Sequence, residues 1–191
     1  MNLNNFTIKG RDTINQAAQI AASLDQQAIE TGHILKAVQE IADNITSFLF
    51  QKLGVNVSAM NMALDRIIES YAKVSGGQPY LSNATNTAVQ KAIKYASEMG
   101  DQYVSVEHLL LGLLEANDSV SSLMKDSGFS KRELKEAIAE LRKGAKVESE
   151  TAEDQFNSLE RFAVNLVEQA RKGKLDPVIG RDDEIRRILN I

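Results

Sequence analysis

The sequence predicts an all-α protein: an eight-helix domain made of two pseudo-twofold four-helix units, followed by a linker and further helices. Three observations carry this. Apolar residues recur at three- and four-residue spacing, with only Pro79 and Pro177 to interrupt 191 residues. Glycines stand where those runs end. A block of residues near the start returns at an offset of 74 or 75.

In chain order, Ile14, Ala17, Ala18, Ala21 and Ala22 give the first helix its stripe, with Thr7 as its candidate cap. Thr31 is expected to open the second helix, and Gly54 closes the run from Phe48 to Leu53. Gly76-Gly77-Gln78-Pro79 reads as the joint between the halves. Ser82 or Thr85 then opens a long helix that carries Val89, Ala92, Ile93 and Ala96 and ends at Gly100. Ser105 opens the next, where Leu109, Leu110, Leu111, Leu113 and Leu114 cover nearly the whole circumference, so this helix is expected to be central. Gly128 follows Val120 to Ser127, Ser130 to Glu133 has capping-box spacing, and Gly144 follows Leu134 to Arg142. No strand run is evident.

The repeat is read from identities. Thr13, Gln16, Ala18, Ala22 and Ser23 return as Thr87, Gln90, Ala92, Ala96 and Ser97, at 74. His33-Ile34-Leu35 matches His108-Leu109-Leu110 at 75, and Leu53-Gly54-Val55 matches Ser127-Gly128-Phe129 at 74. Two copies are too few for a solenoid and suit one domain of two facing units. The expected layout is a domain over 1–143, with units over about 1–75 and 80–143. Glu148, Glu150, Glu153 and Asp154 mark 144–156 as a flexible acidic linker, which a random coil would extend over roughly 20 Å. Helical periodicity resumes over 157–191, and the text stops inside a helix, so the chain is expected to be a fragment.

Composition narrows the function. There is no cysteine, hence no disulfide, thiolate site or cysteine nucleophile. A formal net charge of -4 and the lack of a Lys/Arg stripe argue against nucleic acid and anionic membranes as partners. The opening residues lack a secretory signal and no apolar run is long enough to span a bilayer, so a cytoplasmic location is expected. His33 and His108 lack a second ligand at metal spacing and occupy equivalent repeat positions, which favours a structural role. Gly173-Lys174-Leu175 lacks the upstream glycine and the hydroxyl of a phosphate loop, so neither catalysis nor a resident cofactor is expected of this chain.

The stretch Gly173-Lys174-Leu175-Asp176-Pro177-Val178-Ile179-Gly180-Arg181-Asp182-Asp183-Glu184-Ile185-Arg186-Arg187 closely resembles the entry into the first AAA+ ATPase module of the Clp unfoldase family. Leu159-Glu160-Arg161-Phe162 with Asn165-Leu166, the repeated His-Leu-Leu pattern and Asn5-Phe6-Thr7 resemble its ClpB-type disaggregase branch. One departure is Gly32, where the family has an acid before the histidine.

The resemblance implies Clp N-terminal repeats over 1–143 and the N-domain of a homohexameric, ATP- and Mg-dependent machine. Such a machine draws polypeptides from aggregates and works with the DnaK chaperone system through a middle coiled-coil domain absent here. The fragment itself is expected to be monomeric. Val178, Ile179, Gly180 and Arg181 would border the adenine pocket in the intact module only. Thr7, Asp101 and Glu107 match family residues implicated in substrate handling. Asp101 and Glu107 align with Gln26 and Gly32, which suggests acids that equip one face rather than support the shared architecture. Clients with exposed apolar segments need a shallow apolar groove with a polar rim, and Val89 and Tyr95 on the long second-half helix are its candidate lining. The rival reading is an adaptor- and substrate-docking N-domain of a ClpC/ClpA-type protease unfoldase.

Overall fold

Side-chain caps open most of the helices, and their recurrence sets the architecture. A computed structural model describes residues 3–74 and 77–156. The first unit comprises α1 (Ile8–Ser23), β1 (Ala28–Ile29), α2 (Thr31–Ile41), α3 (Asp43–Lys52) and α4 (Val57–Glu69). The second comprises β2 (Tyr80–Leu81), α5 (Asn83–Met99), α6 (Val106–Leu114), α7 (Ser119–Asp126) and α8 (Lys131–Arg142), and a single turn, α9 (Ala152–Gln155), follows. The Thr7 hydroxyl accepts the Gly10 N–H at 3.0 Å; 75 positions on, Ser82 accepts the Thr85 N–H at 3.1 Å. Gly100 closes α5 at φ 71°, a left-handed geometry that glycine adopts without Cβ strain.

Burial corrects the repeat register in the first helix pair. Gly10, Thr13, Ile14, Ala17 and Ala21 are buried in α1, and Thr85, Ala88, Val89, Ala92 and Ala96 are buried in α5. These faces superimpose at 75, one residue away from the 74 that the identities suggest. Thr13 is buried whereas Thr87 is exposed, so the identity between them is coincidental.

The two units exchange their edges. β1 runs parallel to β2, with Ala28 opposite Tyr80 and Ile29 opposite Leu81. The same pairing, shifted by 75, recurs as the parallel bridge between Phe6 and Val104. Each unit's opening residues therefore complete the other unit's short strand, which gives a sheet too small for periodicity to reveal. The helices repeat the exchange: α3 packs on α8, and α4 packs on α7. The two units therefore share one set of packed helices, with α2 also meeting α5 and α6 across the divide.

Helix α6 lies at the centre, as its leucines predict, with all nine residues buried. It presses so closely on α5 that a Cβ on Gly112 would meet the Ala88 carbonyl oxygen at 2.1 Å. Fully burying each of its five leucines contributes on the order of 2 kcal/mol.

The expected flexible linker over 144–156 is instead packed. Val147, Ala152, Glu153 and Phe156 are buried, and the segment belongs to the same compact unit as the helices. The Val147 carbonyl accepts the amides of Gln102 and Tyr103 at 3.0 and 3.2 Å, and the Glu150 carbonyl accepts the Ile8 N–H at 2.9 Å. Two of its acids pair with cations: Glu150 with Arg11, and Asp154, which lies 2.9 Å from Lys9. An acidic composition suggested solvation because those cations come from α1, Arg11 standing 139 residues before Glu150. The expectations for residues 157–191, including Val178, Ile179, Gly180 and Arg181, lie outside the described residues. Among the described residues, no helix is long and apolar enough to cross a membrane.

Candidate functional site

Arg142, in the last turn of α8, organises the residues singled out in the second unit. Its Nη1 donates to Asp101 Oδ2 at 2.6 Å, its Nε to Glu107 Oε1 at 3.1 Å and its Nη2 to Ser105 Oγ at 3.2 Å. His108 Nδ1 accepts the Ser105 N–H at 2.9 Å, so the neutral ring carries its proton on Nε2 and donates to Asp101 Oδ2 at 3.0 Å. Burial alone would raise the Asp101 pKa. Hydrogen bonds from His108, the Val147 amide and Arg142 outweigh it and hold the carboxyl well below the usual carboxylate range.

The first unit keeps half of this device. His33 Nδ1 accepts the Glu30 N–H at 3.0 Å, and its Nε2 meets Gln26 Oε1 at 2.6 Å. Gln26 thus stands in for Asp101, so Asp101 does serve the shared architecture, contrary to expectation. Glu107 does not: Gly32 takes its place, and a Cβ there would lie 3.0 Å from Ile68 and 2.7 Å from the Tyr71 hydroxyl. Ile68 matches Arg142 at 74. The ion pair of one unit is an apolar contact in the other.

The five residues proposed to meet a client are all shielded. Thr7, Val89 and Glu107 are at most 1% exposed, Tyr95 is 4% exposed, and the Asp101 side chain is inaccessible. The structure corrects the expectation that they line a surface: Thr7 caps α1, Val89 is core, and the two acids neutralise a buried arginine. Segment 147–156 covers this corner as well. Glu153 Oε1 accepts the Val106 N–H at 2.7 Å at the start of α6. Burial, and then the charge of Glu107, raise the Glu153 pKa to about 8, against the lowering effect of Thr7, the Val106 amide and Lys9. Among the described residues, one oxygen each of Glu107 and Glu153 has no hydrogen-bond partner.

A cleft opens elsewhere on the second unit, between α5, the end of α6, α7 and the start of α8. It encloses about 560 Å³ and is lined by Lys91, Leu114, Glu115, Asn117, Lys125, Phe129, Ser130 and Lys131. Leu114 and Phe129 are buried and form its floor, while Asn117, Lys125 and Lys131 are exposed at its rim. Phe129 is braced from below by an edge-to-face contact with Phe50 at 5.2 Å. Tyr95 borders this cleft rather than opening into it: the Lys131 and Lys135 ammonium groups lie 5.0 and 4.8 Å from its ring centre. The cleft joins four successive elements of the second unit. Only Phe129, a large aromatic beside the glycine turn where the first unit has Val55, offered a sequence signal.

Among the described residues no cluster of three or more His, Cys, Asp or Glu could hold a metal ion. The cleft offers an apolar floor and a cationic rim, which is the chemistry of a shallow binding surface.

Comparison with known proteins identifies the family. The family described as "Clp repeat (R) N-terminal domain" matches residues 5–127 and again 90–174. The chain is 53% identical, over its full 191 residues, to a chaperone protein ClpB of Bacteroides thetaiotaomicron, and covers 22% of that protein. It is 50% identical over the same length to the ClpB of Porphyromonas gingivalis, again 22% of the whole. The chain thus spans about a fifth of the length of the curated relatives it matches. Among solved structures, the Hsp104 N-terminal domain of Candida albicans superimposes with a TM-score of 0.67 at 23% identity, over 78% of this chain and 99% of that one. The N-terminal domain of ClpD from Arabidopsis thaliana gives 0.58 at 23% identity, over 75% and 98%. The chain therefore belongs to the Clp repeat (R) N-terminal domain family and corresponds to the N-terminal region of ClpB-type chaperones.

Proposed function

We propose that this domain weakly binds exposed apolar segments of unfolded or aggregated polypeptides at the α5–α8 cleft and passes them to the pore of an ATP-driven hexameric disaggregase in the cytoplasm. The observation that carries this reading is the cleft itself, with Leu114 and Phe129 as its floor and exposed polar side chains around it. A floor of two apolar side chains gives loose capture, which suits a client that must be released onward. Six such domains around one ring would supply avidity without tight single contacts. ATP and Mg chemistry, and cooperation with the DnaK system, belong to parts of the whole protein outside this chain. Placing a photocrosslinking residue at Lys125 tests the reading. Crosslinks to a permanently unfolded protein are expected there and not from Glu69, an exposed residue of α4 that does not line the cleft. Equal labelling at both positions contradicts it.

A further inference from the structure

The cleft carries a charge bias that binding of apolar segments does not require. Lys91, Lys125 and Lys131 line it against a single acid, Glu115. This local excess of positive charge lies in a chain whose formal net charge is -4. Glu115 is already shared. The Lys91 Nζ donates to its carbonyl at 2.6 Å and lies 3.9 Å from its carboxylate, and the Lys131 Nζ lies 3.0 Å from the same carboxylate. Lys125 is exposed and has no ion-pair partner among the described residues.

The first unit is an internal control. Gln16 stands where Lys91 stands, and Val57, the first residue of α4, stands where Lys131 opens α8. Gln51 matches Lys125, since the Gly54 N–H bonds the Gln51 carbonyl at 3.1 Å as the Gly128 N–H bonds that of Lys125 at 3.0 Å. The fold is built the first time without any of the three cations, so their presence in the second unit is not a requirement of the four-helix architecture.

We propose that the cleft selects apolar segments flanked by acidic side chains, an apolar anchor resting on Leu114 and Phe129 while neighbouring carboxylates meet Lys125, Lys91 and Lys131. This rests on the assignment of the cleft as the client site and adds its substrate class. The lysines line the same cleft as the floor, and charges act over a Debye length of about 8 Å at physiological salt, so an acid one or two residues from the anchor would be in range. Contacts at an exposed rim are individually weak, so the preference is a selectivity of about three- to tenfold rather than a source of tight binding.

The test uses three short fluorescent peptides with one apolar core and acidic, amide or basic flanks, titrated against the domain at low and high salt, with amide chemical shifts recorded in parallel. The acidic peptide is expected to bind about three- to tenfold more tightly than the amide peptide, and the basic one more weakly still, with the differences shrinking at high salt. Lys125→Glu is expected to reduce or reverse the order. Equal affinities with shifts at Leu114 and Phe129 would overturn the charge selectivity and leave the client site standing. Binding of all three without shifts at those two residues, or no binding at all, would overturn the site and the selectivity with it.

Discussion

Arg142 and Asp101 form an ion pair at 2.6 Å from which water is excluded on both sides, the arginine side chain being 4% exposed and the aspartate 0%. A buried pair of this kind adds little net stability, but breaking it leaves a charge with no solvent to receive it. Arg142 also satisfies Glu107, so Arg142→Leu strands two acids. The expected cost is about 3–5 kcal/mol in urea unfolding, and Asp101→Asn with Glu107→Gln in the same chain should restore more than half of it. A single-variant cost near zero would mean that the cluster is solvated.

Glu153 should give stability a pH dependence of unusual sign. Its folded pKa of about 8 lies above the ordinary 4.5, so the native state holds the proton more tightly than the unfolded chain. That contribution is complete below 4.5 and is lost as pH rises through 8. His33, lowered to about 4 by burial, acts oppositely but only up to its ordinary 6.5. Asp101, held low, matters only in acid below 3.8. The melting temperature should therefore fall between pH 6.5 and 8, and Glu153→Gln should flatten that slope.

The packing of 144–156 predicts protection of specific amides. The Ile8 N–H, bonded to the Glu150 carbonyl, and the Val147 N–H, bonded to Asp101 Oδ1 at 3.0 Å, should exchange slowly in native-state hydrogen exchange. Phe156→Ala should remove about 3 kcal/mol, the usual cost of emptying a buried aromatic site. Exchange of both amides at the free-peptide rate would restore the flexible tether.

Gly112→Ala should be among the most damaging single-methyl changes in the domain. The added carbon cannot move away from a backbone oxygen 2.1 Å distant, so α5 and α6 must separate, at a cost of about 1–3 kcal/mol or more. Thermal unfolding measures it directly.

Helices, their order and the central position of α6 were legible because capping residues, terminal glycines and apolar spacing act locally, within a turn or two. The duplication was legible too, although identities placed the first helix pair one residue out. Thr13 and Thr87 match as letters while one faces the core and the other the solvent. Sites resisted for the opposite reason. Asp101 and Glu107 read as surface acids because their counter-ion, Arg142, lies 41 and 35 positions away. Glu150 and Asp154 read as a solvated linker because Arg11 and Lys9 are farther still. The cleft left only Phe129 as a trace in the sequence, since Lys91, Leu114, Lys125 and Phe129 converge only after α7 and α8 pack back on α6.

The most direct measurement is the amide chemical-shift response of the isotopically labelled domain to a permanently unfolded protein. Loose capture at the cleft predicts fast-exchange shifts at Leu114, Asn117, Lys125, Phe129 and Ser130, with Asp101 and Glu107 responding only weakly from beneath the surface. Shifts centred on the exposed Met62 of α4, or on Asp101 and Glu107 after release of segment 147–156, would contradict it.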